Sequence, residues 1–258
     1  MTESKTKPAV SPIPAELRIS GIKDSDYDSL QGYIDTLTTV SMMTYQSVYV
    51  IDYYRGNFLY VSEDPLFLCG RTPEEVMKMG FGYYQTVCLR NEIEMMAEIN
   101  KASFSFFYSL PVEKRKYYSV IYNIHLRNRE DADPILVEQR LMPLKLTGQG
   151  DIWLGMCLVS MAADSRPAAA RMVCGNSPKA WTYDSSSGQW IEDITESLSE
   201  NEKTVISLSK RGMTVSEIGR MMYKSAETVK GYRKSIFAKL RVSSITEAIA
   251  CAESRRLI

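Results

Sequence analysis

Apolar and polar side chains alternate from Tyr117 to Arg127, with Tyr118, Val120, Tyr122, Ile124 and Leu126 on one face and Ser119, Asn123, His125 and Arg127 on the other. A period of two over this length predicts a β-strand that turns one face toward a core. Further strand patterns follow at Leu136–Leu146 and Ile152–Met161. Ahead of them, Ser47–Tyr53 and Asn57–Ser62 form a hairpin pattern around Arg55-Gly56-Asn57. Between the two strand groups the period lengthens to that of helices. One helix starts at Thr72-Pro73-Glu74-Glu75, with proline and acids in its first turn, and a longer one covers Arg90–Phe106. Another helix, Ser25–Met42, precedes the first strand. Two strands, a helical middle and three strands predict an α+β domain over residues 24–164.

The last quarter, Leu198–Ile258, has a helical period throughout. Ser199 with Glu202, Thr214 with Glu217 and Ser244 with Glu247 each have the spacing of a capping box, and Ser225 is positioned to cap a further helix. Four short helices are predicted, the second over Thr214–Met222 with Ile218 and Met221 or Met222 facing inward. A tight connection through Tyr223-Lys224 leads into the third, which makes a helix-turn-helix. At 100° per residue, Val229, Tyr232, Ile236 and Leu240 form the buried stripe of the third helix, and Lys230, Gly231, Lys234 and Ala238 point away. A lysine on such an outer face can donate to the acceptors of a guanine edge, and small neighbours allow close approach.

Charge changes the picture. The whole chain carries 31 basic and 31 acidic residues, but residues 195–258 hold 12 Lys or Arg against 7 Glu and no Asp. A net of +5 on the C-terminal segment leaves −5 on the rest, so a neutral total hides a basic module joined to an acidic one. This division suits phosphate binding by the first module alone.

The run Leu198-Ser199, Glu202, Val205, Gly212, Glu217-Ile218, Ser225, Thr228-Val229-Lys230, Lys239-Leu240, Val242 and Glu247-Ala248 resembles the LuxR/FixJ-type (GerE-like) DNA-binding domain over roughly 60 residues. The resemblance implies base contacts from Lys230, Gly231 and Lys234. It implies phosphate contacts from Lys224, Ser225, Thr228, Arg233 and Lys239, and a dimer contact on the fourth helix, Ser244–Arg255. The sequence departs from the family at Tyr232, where histidine is common, and at Arg241, where glycine ends the recognition helix. A sigma-factor promoter-reading module shares the Glu-Ile and Ser…Thr-Val spacing. The tail Val242–Ile258 instead resembles the fourth helix of the LuxR type.

Val50-Ile51-Asp52, Phe58-Leu59-Tyr60-Val61-Ser62-Glu63 and Cys69-Gly70-Arg71-Thr72-Pro73-Glu74-Glu75 are similar to PAS sequences. That resemblance covers about 120 residues and implies an antiparallel five-stranded sheet with helices, often enclosing a small-molecule pocket. No flavin-binding Asn-Cys-Arg motif follows, and Leu89-Arg90-Asn91-Glu92 stands where many relatives have His-Pro-Glu-Asp.

No phosphate-cradling glycine loop or Gly-x-Ser-x-Gly elbow is present, and there is a single histidine, His125, on the more polar face of its strand. It reads as a surface or edge residue. The carboxylates Glu74-Glu75 and Glu92/Glu94 fall where helix starts and solvated helix faces place them. No enzyme activity, cofactor or metal site is therefore expected. Five cysteines without paired spacing suit a reducing cytosol, residues 1–23 read as a loose arm without an apolar leader, and the longest greasy stretch is too short to span a membrane. Residues 165–194 read as a linker containing a small hairpin, Trp181-Thr182-Tyr183 and Gln189-Trp190-Ile191 around a polar turn, docked on a domain to cover its two tryptophans. The expectation is a cytoplasmic transcription regulator with residues 195–258 as its DNA reader. Its partners would be double-stranded DNA, a second copy of the chain, a small-molecule ligand or protein partner of the PAS-like domain, and RNA polymerase as a further candidate.

Overall fold

The computed structural model describes residues 11–14, 17, 19–44, 46–128, 133–162, 170–177, 179–193, 198–254 and 257–258. The loose arm expected over residues 1–23 lies mostly outside them. The chain divides into two units, one made of residues 1–172 and 182–191 and the other of residues 173–181 and 192–258.

In the first unit, α1 (Asp24–Tyr27) and a 3-10 turn lead into α2 (Gln31–Thr44), so the single helix expected at Ser25–Met42 is broken near its start. The hairpin follows as β1 (Ser47–Asp52) and β2 (Asn57–Val61), with Gly56 at φ +66° in its turn. The helical middle comprises α3 (Pro65–Leu68), α4 (Pro73–Met79), α5 (Tyr84–Val87), α6 (Arg90–Ser109) and α7 (Val112–Arg115). Thr72 and Glu75 close a reciprocal capping box on α4, with Pro73 supplying a fixed φ at its first position. Three long strands complete the domain: β3 (Tyr118–Leu126), β4 (Ile135–Leu146) and β5 (Ile152–Met161).

These five strands are antiparallel in the order β2-β1-β5-β4-β3, the PAS-like arrangement. Three short strands follow along the chain, β6 (Arg171–Cys174), β7 (Ala180–Asp184) and β8 (Gln189–Glu192). Both faces of β3 are covered, and Ser119 and Asn123 are buried along with its apolar residues. Alternation along β3 thus marks two different interiors rather than a core and a solvent face. The aromatic core stacks Tyr49 on Phe67 at 4.3 Å and sets Phe58 edge-on to both Tyr49 and Phe67.

The second unit contains α8 (Glu200–Lys210), α9 (Val215–Met221), α10 (Ala226–Leu240) and α11 (Ile245–Ser254). Its core gathers Leu198, Val205, Ile206, Ile218, Val229, Ile236, Leu240, Ala248 and Ala252, with Tyr232 packed alongside. This is the predicted stripe of α10. On α9, Ile218 is buried and Met222 packs on the core, while Met221 faces out.

Candidate nucleic-acid interface and sensor cavity

The helix-turn-helix is built by caps. Ser199 Oγ accepts from the Glu202 N–H at 3.3 Å, Thr214 Oγ1 from the Glu217 N–H at 3.4 Å and Ser225 Oγ from the Thr228 N–H at 3.1 Å, each satisfying a donor left open at a helix start. The returning carboxylates complete boxes at Ser199 and Thr214. At α11 the pattern shifts by one residue: Ser244 Oγ caps Glu247 N–H, but the Glu247 carboxylate accepts from the Ser243 N–H at 2.9 Å.

The turn between α9 and α10 depends on Gly219. A Cβ there would lie 2.8 Å from the carbonyl oxygen of Lys224, so the chain can pass only over a bare α-carbon. Tyr223 then takes φ +54°. At the far end of α10, Arg241 adopts the left-handed cap at φ 55°, ψ 47°, with its N–H directed to Ala238 and Phe237 carbonyls. The missing family glycine therefore changes the residue at this cap and leaves its left-handed geometry in place.

Glu227, Lys230, Gly231, Lys234 and Ala238 are all exposed on the outer side of α10. Lys230 Nζ lies 3.2 Å from Glu227, an exposed pair of small energetic weight. A Cβ at Gly231 would meet open space, so the glycine answers to nothing inside the fold. Among the described residues, the ammonium groups of Lys224 and Lys234 are exposed and make no ion pair. Arg233 is half-buried with its guanidinium over the Phe237 ring at 5.8 Å. The hydroxyls of Ser225 and Thr228 share a hydrogen bond of 2.8 Å within the cap.

Lys239 differs from the other expected phosphate contacts. Its Nζ lies 2.9 Å from Glu202 Oε2, and Ser235 Oγ donates to the same carboxylate at 2.6 Å. The Glu202 side chain is only 4% exposed and that of Lys239 19%. Burial alone would raise the Glu202 pKa, but hydrogen bonds from Lys239, Ser235 and Ser199 outweigh it and hold the group at about 2. Lys239, expected at phosphate, is thus engaged in an internal pair with Glu202. In the sequence Glu202 reads only as half of a capping box, and its reach to α10 emerges from the fold.

Residues 196–252 match the family described as bacterial regulatory proteins, luxR family. Residues 196–252 form a LuxR-type DNA-binding domain. Its α9 and α10 are the helix-turn-helix pair, and the function at this level is that of a DNA-binding transcription regulator. Solved structures similar to the chain include a phage VqmA–DPO complex, at 16% identity over 91% of this chain and 92% of that one with a TM-score of 0.33. A Vibrio cholerae VqmA dimer shares 15% identity over 87% of this chain and 88% of that one, TM-score 0.33. The response regulator ChrA of a heme-sensing two-component system is 29% identical over 26% of this chain and 33% of that one, TM-score 0.25. No curated protein matches the chain. The LuxR-type assignment rests on the matched segment and its caps.

In the first unit, α6 packs on β3 and leaves a cavity of about 20 Å³ bordered by Tyr53, Asn100, Phe104, Phe107, Pro143 and Gly155, room for about one water molecule. Buried polar groups lie in the same interior. The hydroxyl of Tyr84 donates to that of Tyr49 at 2.8 Å, and the hydroxyl of Tyr49 donates to Gln139 Oε1 at 3.2 Å. Gln139 is fully buried and, among the described residues, its Nε2 has no hydrogen-bond partner. Asn100 Nδ2 donates to the carbonyl of Pro12 at 2.6 Å. Burial pushes the Tyr49, Tyr84 and Tyr122 hydroxyls well above their ordinary pKa and the Cys157 thiol up to about 12, so all remain protonated. All five cysteines are buried and outside any disulfide.

His125 is anchored rather than solvated: its Nδ1 and backbone N–H reach the two carboxylate oxygens of Glu92, each at 2.7 Å. Glu92 is at a helix start, as its position implies, in the first turn of α6, but it is buried there rather than on a solvated face. Hairpin residues 182–191 belong to this unit and, with one side of α6, border an open groove of about 680 Å³. No cluster of three or more metal-binding side chains occurs among the described residues, and no described helix is long and apolar enough to cross a membrane.

Proposed function

We propose that the chain is a cytoplasmic, homodimeric transcription regulator whose LuxR-type domain reads operator DNA with the outer face of α10. Lys230 and Lys234 serve as base-reading donors, and Gly231 lets the helix approach the groove floor. Lys224, with the cap hydroxyls of Ser225 and Thr228 and the guanidinium of Arg233, holds the sugar-phosphate backbone. The observation that carries this reading is the open space over Gly231 beside two exposed lysines on one helix face. A dimer would set two such helices on half-sites roughly 34–36 Å apart. Selection of random-sequence duplexes with the full-length protein tests it: enrichment of a two-fold symmetric site with that spacing is expected, and recovery of unenriched DNA would defeat it.

The PAS-like unit is proposed as the sensor, and its signal as a small molecule that supplies an acceptor to the Gln139 amide. A buried donor without a partner costs about 1–3 kcal/mol, which a bound carbonyl or ring nitrogen would recover. Binding would act by shifting the population of dimer states that present the readers correctly. The small cavity supports a second reading, in which the unit is ligand-free and responds to a protein partner. Native and denaturing mass spectra of freshly purified protein separate the two. A dimer carrying mass lost on denaturation supports the ligand reading, and a dimer without adduct supports the protein partner.

A further inference from the structure

Tyr223 is 95% exposed at the corner between α9 and α10. Its backbone is left-handed, at φ +54°. That conformation is unfavourable for any L-residue and most out of place for a bulky aromatic, whereas glycine or asparagine adopts it readily. An exposed ring in water gains nothing by burial either. The ring makes no hydrogen bond, ion pair or ring contact among the described residues, so nothing inside the fold explains a tyrosine at this position. The corner is also held firmly. The Tyr223 N–H reaches the Arg220 carbonyl at 3.3 Å, the Lys224 N–H reaches that of Gly219 at 2.8 Å, and the bare α-carbon of Gly219 leaves the turn no slack.

Two costs without internal return, on a rigid corner of a DNA-binding domain, point to an external contact. The neighbours identify it: exposed Lys224 follows directly, exposed Ser225 and Thr228 open α10, and the segment carries a net positive charge. We propose that Tyr223 is a DNA-backbone contact, its phenol donating to a phosphate oxygen and its ring lying along the adjoining deoxyribose. Tyrosine hydroxyls are suited to this role, and such a contact fixes the register of the reading helix without itself carrying sequence information. The inference rests on the DNA-binding reading of α10.

The test uses a 30-base-pair duplex recovered by selection with the wild-type protein and a scrambled duplex of the same composition. Tyr223→Phe removes only the hydroxyl and should weaken binding to both duplexes about fivefold. Tyr223→Gly removes the ring as well and should weaken both by about tenfold or more, while its thermal midpoint stays level or rises because the strain is relieved. Affinity lost without any loss of stability is what a merely structural tyrosine would not give. Unchanged binding by both variants overturns the proposal, as does a loss confined to the selected duplex, which would mark a base contact. Intact binding with lost transcription by purified polymerase also overturns it, since the ring would then face a protein. If the wild type binds neither duplex, the DNA-binding reading itself fails.

Discussion

Lys239, near the end of α10, closes an ion pair of 2.9 Å with Glu202 in the first turn of α8. The same carboxylate accepts from Ser199, which caps α8, and from Ser235, one turn earlier on α10. One buried charge therefore ties the reading helix to the helix that supports it. Removing either partner leaves the other charge or its donors uncompensated, which typically costs about 3–5 kcal/mol. Lys239→Ala should lower the stability of the DNA-binding domain by about 3 kcal/mol at neutral pH, near the bottom of that range because Lys239 keeps some solvent contact. Urea unfolding followed in the domain's helices measures it. DNA affinity of the fraction that remains folded should keep its wild-type salt slope, and a slope reduced by about one would return Lys239 to the phosphate contacts.

The same carboxylate sets an acid limit. Glu202 is held at about 2 in the folded domain, against an ordinary value of 4.5. A carboxyl depressed by folding contributes stability that is complete above its unfolded pKa and is lost as pH falls toward the folded one. Domain stability should therefore decline between about pH 5 and pH 2. Glu202→Gln should start less stable at pH 7 and show a shallower decline over that interval. Parallel acid limbs for the two proteins would assign the loss to other groups.

Lys230 and Lys234 should separate from Lys224 in what they change. A side chain bonded to a base edge discriminates by about 1–3 kcal/mol, so Lys230→Ala and Lys234→Ala should each narrow the affinity ratio between a selected and a scrambled duplex. Lys224→Ala should weaken both duplexes alike and flatten the salt slope by about one unit. Binding titrations from low to moderate salt distinguish the patterns. Equal loss on both duplexes for Lys230→Ala would move that lysine to the backbone.

Much of this arrangement is legible in the sequence because it is local. Ser199, Thr214 and Ser225 announce helix starts within three residues, and the stripe Val229, Ile236 and Leu240 follows from helical period alone. What escapes is set by contacts across the chain. Glu202 reads as a capping residue until α10 is brought within reach of it. Glu92 reads as a solvated acid until its burial beside His125 is known. The alternation of β3 reveals a strand but not that both faces are covered, and the four residues of β6 are too few to show a period. Gly219 is visible as a glycine in a helix, yet only the folded turn shows which carbonyl excludes a side chain.

Gly219→Ala tests that exclusion. The added methyl would begin 2.8 Å from a backbone oxygen, which cannot rotate away as a flexible side chain could. Relief requires α9 and α10 to part, and forced overpacking of this kind costs about 1–3 kcal/mol. The variant should lose stability and also DNA affinity, because the corner that aims α10 is displaced. Unchanged unfolding would mean that the turn has room the geometry denies it.

Arg241 gives the opposite sign. It ends α10 in the left-handed region, at φ 55°, where an L-residue pays about 1–2 kcal/mol and glycine does not. Arg241→Gly should preserve the cap bonds to the Ala238 and Phe237 carbonyls while relieving the backbone, and so raise stability by about 1 kcal/mol, less the greater freedom of glycine in the unfolded chain. Thermal melting of the full-length variant is the measurement, with duplex affinity followed beside it. A higher midpoint with unchanged affinity means that the arginine is only a tolerated cap. A higher midpoint with weaker binding at low salt, recovered neither by lysine nor by asparagine, would show that strain is kept at this corner because the guanidinium meets DNA.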